Sequence, residues 1–199
     1  MNYLVNISKL NNKYFALRHG QSEANIQNLI VSAPISGINH FGLTELGKKQ
    51  VENSIKNCKF LNENTIIYVS DFKRTKQTAK IVQKMLGCGK VHFTKKLRER
   101  YFGDWEKCSS VNCKKVWKID KKNPGHKKYN VESVGEVQKR TLFLICELEK
   151  KHKNKKILLI SHGDTLQILE TCFLKKRGSE HRNIKHLNVA EIKKLQLSK

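Results

Sequence analysis

The sequence has little proline, few acidic residues and no long hydrophobic run. Its 199 residues include two prolines, 11 glycines and 17 acidic residues against 40 basic ones, and 38% are hydrophobic. No apolar stretch approaches the roughly 20 residues that a membrane-spanning helix needs, so we expect no membrane partner. This composition is typical of a globular protein, and the length predicts a single domain over residues 1–199.

Paired cysteines and a secretion signal are also missing. The six cysteines are scattered without a CxxC pair, and residues 1–10 lack a basic segment followed by a sustained apolar one. These absences predict reduced thiols and a cytoplasmic location. Cys108 and Cys113 have no companion pair at zinc spacing, so we expect both to be structural.

Negative charge is scarce, and the formal net charge is +23. Such a charge attracts anions, which fits either an enzyme for phosphorylated compounds or a basic module that binds nucleic acid or acidic membrane. Only seven of the 40 basic residues are arginines, and the lysines occur in short pairs along the whole chain. We interpret the lysines as a solvated coat and do not expect nucleic acid as a partner, although their surplus favours polyanionic substrates such as sugar bisphosphates.

Strand-like and helix-like segments alternate along the chain. Predicted strands cover residues 14–17, 65–69, 91–93 and 157–160, and predicted helices cover 44–59, 73–86, 110–119, 133–151 and 164–174. The remaining segments predict an edge strand or an arm at 1–12, a long loop at 26–43 and one or two strands within 184–197. The alternation predicts an α/β fold with three layers, in which helices cover both faces of a mainly parallel central sheet.

Three of the predicted strands end in residues suited to binding phosphate. The first ends in Arg18-His19-Gly20, the second in Ser70-Asp71 with Arg74 one helical turn later, and the fourth in Ser161-His162-Gly163. Because the carboxyl ends of parallel strands meet at one edge of a sheet, we expect two arginines and two histidines to converge there. The alternative is that each segment is an ordinary strand-to-loop exit.

These four side chains have the properties that phosphoryl transfer requires. A neutral imidazole is a good nucleophile at one nitrogen when the other donates a hydrogen bond. Two guanidinium groups can hold the phosphoryl oxygens, and a second imidazole adds a donor. The leaving oxygen needs a proton, for which Glu99 is the predicted donor, with Glu23, Asp104 and Glu106 as alternatives. A metal site is disfavoured, because the two arginines would repel a divalent cation.

Six segments of the chain occur in an order found in a known family. They are residues 17–25, 42–47, 70–79, 97–99 with 103–106, 132–133 and 161–166. Together they span about residues 14–175, and the chain resembles the histidine phosphatase superfamily, the phosphoglycerate mutase-like group. The resemblance implies a phosphoglycerate mutase-like fold with no metal and no cofactor.

The resemblance also implies a role for each matching residue. His19 would be the nucleophile that becomes a phosphohistidine, and Glu99 would be the proton donor. Arg18 and His162 would complete the catalytic group. The residues that would bind the phosphoryl group or the substrate are Arg18, Gln21, Asn25, Arg74, His162 and Gly163.

The segment after Glu99 bears on the reaction type. Mutases of the family resemble one another in a Glu-Arg-His-Tyr-Gly run and in paired arginines. Here Glu99 is followed by Arg100-Tyr101-Phe102-Gly103, and no Arg-Arg pair occurs between residues 107 and 132. The segment is more similar to the small phosphatases of the group. The sequence therefore favours a metal-independent hydrolase of a small phosphorylated metabolite, as a monomer or homodimer, with phosphoglycerate mutase-type transfer as the alternative.

The other histidines lie outside these segments. His40 follows the first segment and is a weaker candidate for contact with substrate. The histidines that have no partner at motif spacing, and that we predict to be surface residues, are His92, His126, His152, His181 and His186.

Overall fold

A five-stranded sheet lies at the centre of the computed structural model, which describes residues 3–198. The strands are β1 (Lys13–Arg18), β2 (Ile66–Val69), β3 (Val91–Phe93), β4 (Lys156–Ser161) and β5 (Ile192–Leu195). They lie in the order β3-β2-β4-β1-β5. The first four are parallel and β5 runs antiparallel to β1, which confirms the mainly parallel sheet.

Helices cover both faces of the sheet. Those of the described residues are α1 (Glu23–Ile26), α2 (Pro34–Gly37), α3 (Glu45–Lys56), α4 (Lys73–Leu86), α5 (Cys113–Asp120), α6 (Val134–Lys151) and α7 (Gly163–Phe173). Helices α6 and α7 pack on one face, and α3 and α4 pack on the other. The three predicted layers are therefore present.

Alternate residues of the strands enter two hydrophobic cores. Tyr14 and Ala16 of β1 pack with α6 and α7, whereas Phe15 and Leu17 pack with α3 and α4. Along β4, residues 157–160 are fully excluded from solvent. A strand covered on both faces needs apolar side chains in every position, which explains the unbroken apolar run in the sequence.

Local side chains set the ends of the longer helices. Thr44 caps α3 by accepting a hydrogen bond from the backbone of Gly47 at 3.0 Å. Ser133 begins α6 with a capping box, in which Glu136 accepts a hydrogen bond from the Ser133 backbone. Gly87 ends α4 in the left-handed conformation, at a φ of 66°. Each of these residues is a strong cap signal in the sequence.

The N-terminal residues and two inner segments differ in detail from the predictions, whereas the predicted C-terminal strand is present. Tyr3–Asn6 form a 3-10 helix rather than an edge strand, and Met1 and Asn2 lie outside the described residues. The edge position beside β1 is taken instead by β5, the single strand within 184–197. The predicted helix at 110–119 is a 3-10 turn followed by α5, and the long loop at 26–43 contains the short helix α2.

Lysines lie at the surface wherever the structure describes them. No lysine of residues 3–198 is buried, whereas Arg74 and Arg100 are. This distribution fits a solvated lysine coat. None of the helices in the described part is long and apolar enough to cross a bilayer.

Two glycines bring the turn after β1 against the first turn of α3. A Cβ atom on Gly20 would lie 2.3 Å from the carbonyl oxygen of Gly47, and one on Gly47 would lie 2.0 Å from the carbonyl oxygen of Gln21. Both neighbours are backbone atoms, so a side chain here would displace the turn that follows His19.

We therefore expect Gly47→Ala to lower the free energy of unfolding by about 1–3 kcal/mol, because the added methyl group overlaps the Gln21 backbone. The matched control is Gly135→Ala in α6, where an added Cβ meets nothing within 4 Å. This control should be neutral or gain up to about 1 kcal/mol. Urea denaturation measures both. Equal stability of Gly47→Ala and the wild type would contradict the described contact.

Candidate active site

The carboxyl ends of β1, β2 and β4 meet at one edge of the sheet. Arg18 is in register with Ser161, and Val69 is in register with Ile160. The next residue of β1, His19, donates its backbone N–H to Ser161 O at 3.1 Å. The predicted convergence of Arg18, His19, Arg74 and His162 at one edge is therefore present in the structure.

His19 is positioned as a neutral imidazole. Its Nδ1 lies 2.7 Å from the carbonyl oxygen of Gly20, so the proton is assigned to Nδ1 and the lone pair to Nε2. Only 3% of the residue is exposed. Burial, followed by the charges of Arg74 and Arg18, holds the pKa of His19 well below its ordinary value. The ring is therefore neutral at neutral pH, with Nε2 free of a proton, as a nucleophile must be.

Arg74, in the first turn of α4, joins the two histidines. Its Nε donates to Nε2 of His19 at 3.1 Å, and its Nη2 donates to Nδ1 of His162 at 2.9 Å and to Val31 O at 2.9 Å. Its Nη1 is buried and has no hydrogen-bond partner among the described residues. Burial lowers the pKa of Arg74 to about 10, so the group stays charged at neutral pH.

His162 is fully buried, and its tautomer follows from its partners. Since Nδ1 accepts from Arg74, Nε2 carries the proton and donates to Oγ of Ser70 at 2.9 Å. Burial and the Arg74 charge hold its pKa well below the ordinary value. Ser70 was predicted only as part of a strand end, and the structure gives it the role of orienting this ring.

Arg18 lies on the other side of His19, beside the N-terminus of α7. Its Nη1 donates to Leu187 O at 2.9 Å, and its Nε is buried without a hydrogen-bond partner among residues 3–198. Gly163 is the first residue of α7, so its N–H has no carbonyl partner within that helix. A Cβ atom there would lie 2.6 Å from Cε1 of His186, so a side chain at this position would displace the His186 ring.

Glu99 is held by the first turn of α7. Its Oε1 accepts from the backbone N–H of Thr165 at 3.1 Å and lies 3.1 Å from the Thr165 hydroxyl. Burial and the neighbouring charge of Asp164 raise the pKa of Glu99, as expected of a proton donor. Thr165 was missed by sequence reasoning, since nothing local to Glu99 points to it.

A cavity of about 310 Å³ opens in front of these groups. Of the four predicted candidates for the acid, Glu99 alone lines it. The other three accept hydrogen bonds elsewhere: Glu23 from the Gly42 backbone, Asp104 from Asn130, and Glu106 from Ser32. The residues described above that line the cavity are Arg18, His19, Arg74, Glu99, Gly163 and His186.

The two remaining predicted ligands are placed differently. Asn25 lines the cavity, and its Oδ1 accepts from Ser22, which leaves Nδ2 able to donate to a substrate. Gln21 does not line the cavity, because its Oε1 accepts from the Thr44 hydroxyl at 2.9 Å and its backbone is held by Gln50. His40 borders a separate surface cavity with Lys73, outside this site.

The surface prediction was wrong for three histidines. His186 lines the cavity, with Nδ1 2.8 Å from Leu187 O. His126 and His181 are buried, at 8% and 0% exposure, beside the buried carboxylate of Asp120. Their partners are distant in sequence or come from other elements, so spacing alone gave no signal.

A second buried network lies behind the cavity. Arg100, which is fully buried, donates to both carboxylate oxygens of Asp120 at 2.6 and 2.8 Å and lies 3.4 Å from Asp164. Asp164 also accepts from Nε1 of Trp117 at 3.2 Å and from Arg182 at 3.3 Å. Burial alone would raise the pKa of Asp164, but these cations lower it below its ordinary value. Asp164 is therefore ionised where it lines the cavity.

Comparisons with known proteins agree with this geometry. A family model described as the histidine phosphatase superfamily (branch 1) matches residues 14–199. The chain is 24% identical to a probable phosphatase of Schizosaccharomyces pombe, over 83% of this chain and 75% of the relative. It is 28% identical to a 2,3-bisphosphoglycerate-dependent phosphoglycerate mutase of Methylocella silvestris, over 77% of each.

A solved structure has the same fold. The mycobacterial glucosyl-3-phosphoglycerate phosphatase superimposes with a TM-score of 0.73 at 21% identity, over 90% of this chain and 87% of that one. At this identity the likeness is one of fold, and it confirms the predicted phosphoglycerate mutase-like architecture.

The buried histidine pair makes stability depend on pH. Unfolded histidines titrate near pH 6.5, whereas His19 and His162 resist protonation in the folded state. Below about pH 6.5 the unfolded chain binds more protons, so the free energy of unfolding should fall with falling pH, by up to about 1.4 kcal/mol per pH unit for each histidine. Urea denaturation between pH 7.5 and 5 measures this slope. The His19→Gln/His162→Gln variant should show a shallower slope, and parallel curves would refute the assignment.

Proposed function

The chain belongs to branch 1 of the histidine phosphatase superfamily, and we propose that it is a phosphomonoester hydrolase that acts through a phosphohistidine and needs no metal. One observation carries this proposal. Arg18 Nε and Arg74 Nη1 are buried donors without a hydrogen-bond partner among the described residues, on side chains that line one cavity with His19. A phosphoryl group in that cavity would satisfy both.

His19 is the proposed nucleophile. Its Nε2 forms the bond to phosphorus while the bond from phosphorus to the ester oxygen breaks. Arg74 donates a hydrogen bond to Nε2 at 3.1 Å. When the substrate enters, the same N–H can donate to a phosphoryl oxygen instead, which frees the lone pair of Nε2. Arg18, Arg74 and the Gly163 N–H then face the charge on the transferred group. Asn25 donates a further hydrogen bond from Nδ2 to the phosphoryl group.

Glu99 is the proposed acid and then base. Burial and the nearby Asp164 raise its pKa, which favours the protonated carboxyl that gives its proton to the leaving alcohol. The resulting carboxylate takes a proton from the water that attacks phosphorus, the bond from Nε2 to phosphorus breaks, and inorganic phosphate leaves. Each cycle restores a neutral His19 and a protonated Glu99.

Hydrolysis is favoured over the alternative, phosphoglycerate mutase-type transfer. A mutase must hold a carboxylate on its substrate, for which a free cation is suited. The arginine after Glu99 is Arg100, which is fully buried and paired with Asp120. It is therefore not available to a substrate carboxylate. The proposed substrate is a small phosphorylated metabolite in the cytoplasm.

We expect His19→Ala to abolish phosphate release from p-nitrophenyl phosphate in excess chelator, because the substitution removes the proposed nucleophile. His40→Ala is the matched control: it removes a histidine of a neighbouring loop that does not line the cavity, and it should retain activity. Acid-labile labelling of the protein by radioactive substrate should be lost with His19→Ala alone. A His19→Ala protein with unchanged turnover would refute the proposed mechanism.

Glu99→Gln should separate substrates by their need for a proton. The comparison uses kcat/KM, which reports the steps up to formation of the phosphohistidine and excludes the later step in which Glu99 acts as a base. With an alkyl phosphate, whose alcohol leaves poorly, we expect a loss of about 10²–10⁴ in kcat/KM. With p-nitrophenyl phosphate, whose phenolate leaves unaided, the loss should be much smaller. In the wild type the alkyl phosphate rate should fall as pH rises through the raised pKa of Glu99, and this alkaline limb should be absent in the variant. Equal losses on both substrates would contradict proton donation by Glu99.

A further inference from the structure

We propose that the leaving group of the substrate is an uncharged alcohol, so that the protein discriminates against phosphomonoesters that carry a carboxylate or a second phosphate. The inference rests on the proposed function. It follows from the other residues that line the cavity with the proposed phosphate-binding groups: they include an ionised carboxylate and several apolar side chains, and no further cation.

The negative charge is Asp164. It lines the cavity and is only 4% exposed, so solvent screens it weakly. Its cationic neighbours keep it ionised at neutral pH, as described above. An anionic leaving group near this carboxylate would find the neighbouring cations, Arg100 and Arg182, already paired with it. Its own charge would be poorly compensated in a place shielded from water, which is costly.

The nearby cations are committed to carboxylates. Arg100 is fully buried against Asp120. Arg182 binds Asp164 and Gln167, and its guanidinium lies flat on the indole of Trp117, 3.7 Å from the ring centroid. Among residues 3–198, Arg18 and Arg74 are the only arginines that line the cavity, and no lysine lines it. Both of those arginines face the phosphoryl position.

Part of the cavity wall is apolar. It includes Ile30, Phe102 and Cys113, which belong to one small hydrophobic cluster, and Trp117, which packs against that cluster. A neutral alcohol can lie against this wall and gain from burial. A carboxylate there would lose its hydration without gaining a cation.

The positive net charge of the protein does not determine which phosphate ester the cavity prefers. The lysines are at the surface, so their field attracts any phosphate ester to the protein and is screened over about 8 Å at physiological salt. Discrimination between esters occurs inside the cavity, where the balance of charge is different. The surplus of lysine therefore does not select a polyanionic substrate.

The test compares two esters that differ in one group. Glycerol 3-phosphate and 3-phosphoglycerate share the phosphoryl group and the carbon chain, and a hydroxymethyl group in the first replaces a carboxylate in the second. Each is measured as a competitor of p-nitrophenyl phosphate, so that a constant is obtained whether or not the compound is hydrolysed. We expect glycerol 3-phosphate to compete on the order of tenfold more tightly or better.

Two variants that introduce a lysine show whether the preference between the two esters arises inside the cavity. Ser110 lines the cavity, and Ser110→Lys places a cation inside it; Val111 is 59% exposed and does not line it. Ser110→Lys should narrow the ratio of the two competition constants several-fold, and Val111→Lys, with the same added charge, should leave it unchanged. Equal effects of the two variants would overturn the inference, because the cause would then be long-range charge.

The result also distinguishes the two proposals. If p-nitrophenyl phosphate is hydrolysed in a His19-dependent manner and both esters compete equally, the uncharged leaving group is refuted and the proposed function stands. If p-nitrophenyl phosphate is not hydrolysed, the proposed function fails and the inference fails with it.

Discussion

The buried guanidinium of Arg74 is the interaction on which the site depends. It donates to both active-site histidines and to the Val31 carbonyl, and so ties α4 to the ends of β1 and β4 and to the loop after α1. A buried cation is costly unless it is well hydrogen-bonded, and these acceptors offset part of that cost. The same charge opposes protonation of His19 and His162. Together with Gly20 and Ser70, this side chain sets the position, the tautomer and the protonation state of the two buried imidazoles.

The buried network around Arg100 supports the other half of the cavity. Its carboxylates, Asp120 and Asp164, come from α5 and α7, so the ion pairs hold the helix that carries Trp117 against the helix that begins at Gly163. Removing one member would leave a buried charge without a partner, a loss of typically 3–5 kcal/mol. The network leaves one carboxylate at the cavity surface. The same ion pairs therefore hold α5 against α7 and place an ionised carboxylate in the cavity wall.

The sequence was informative where the physics is local or periodic. Parallel strands must end at one edge, so the convergence of Arg18, His19, Arg74 and His162 followed from three apolar runs and the residues after them. The sequence was not informative where contacts join segments that are distant along the chain. His186 reaches Arg18 from 168 positions away because β5 returns beside β1, and no spacing rule anticipates that return. Gln21 was predicted to bind the substrate, but its side-chain oxygen accepts a hydrogen bond from Thr44, which lies on a different element. The sequence gives no sign of this contact.

The two margins of the sheet have a consequence for how copies of this chain meet. On one margin β3 is only three residues long, and on the other β5 carries Lys193 and Lys194 in adjacent positions. A short strand offers few open backbone groups, and the exposed ammonium group of Lys194 on one molecule would repel that of another, whereas Lys193 is paired with Glu170. Both margins therefore disfavour extension of the sheet into a second copy of this chain.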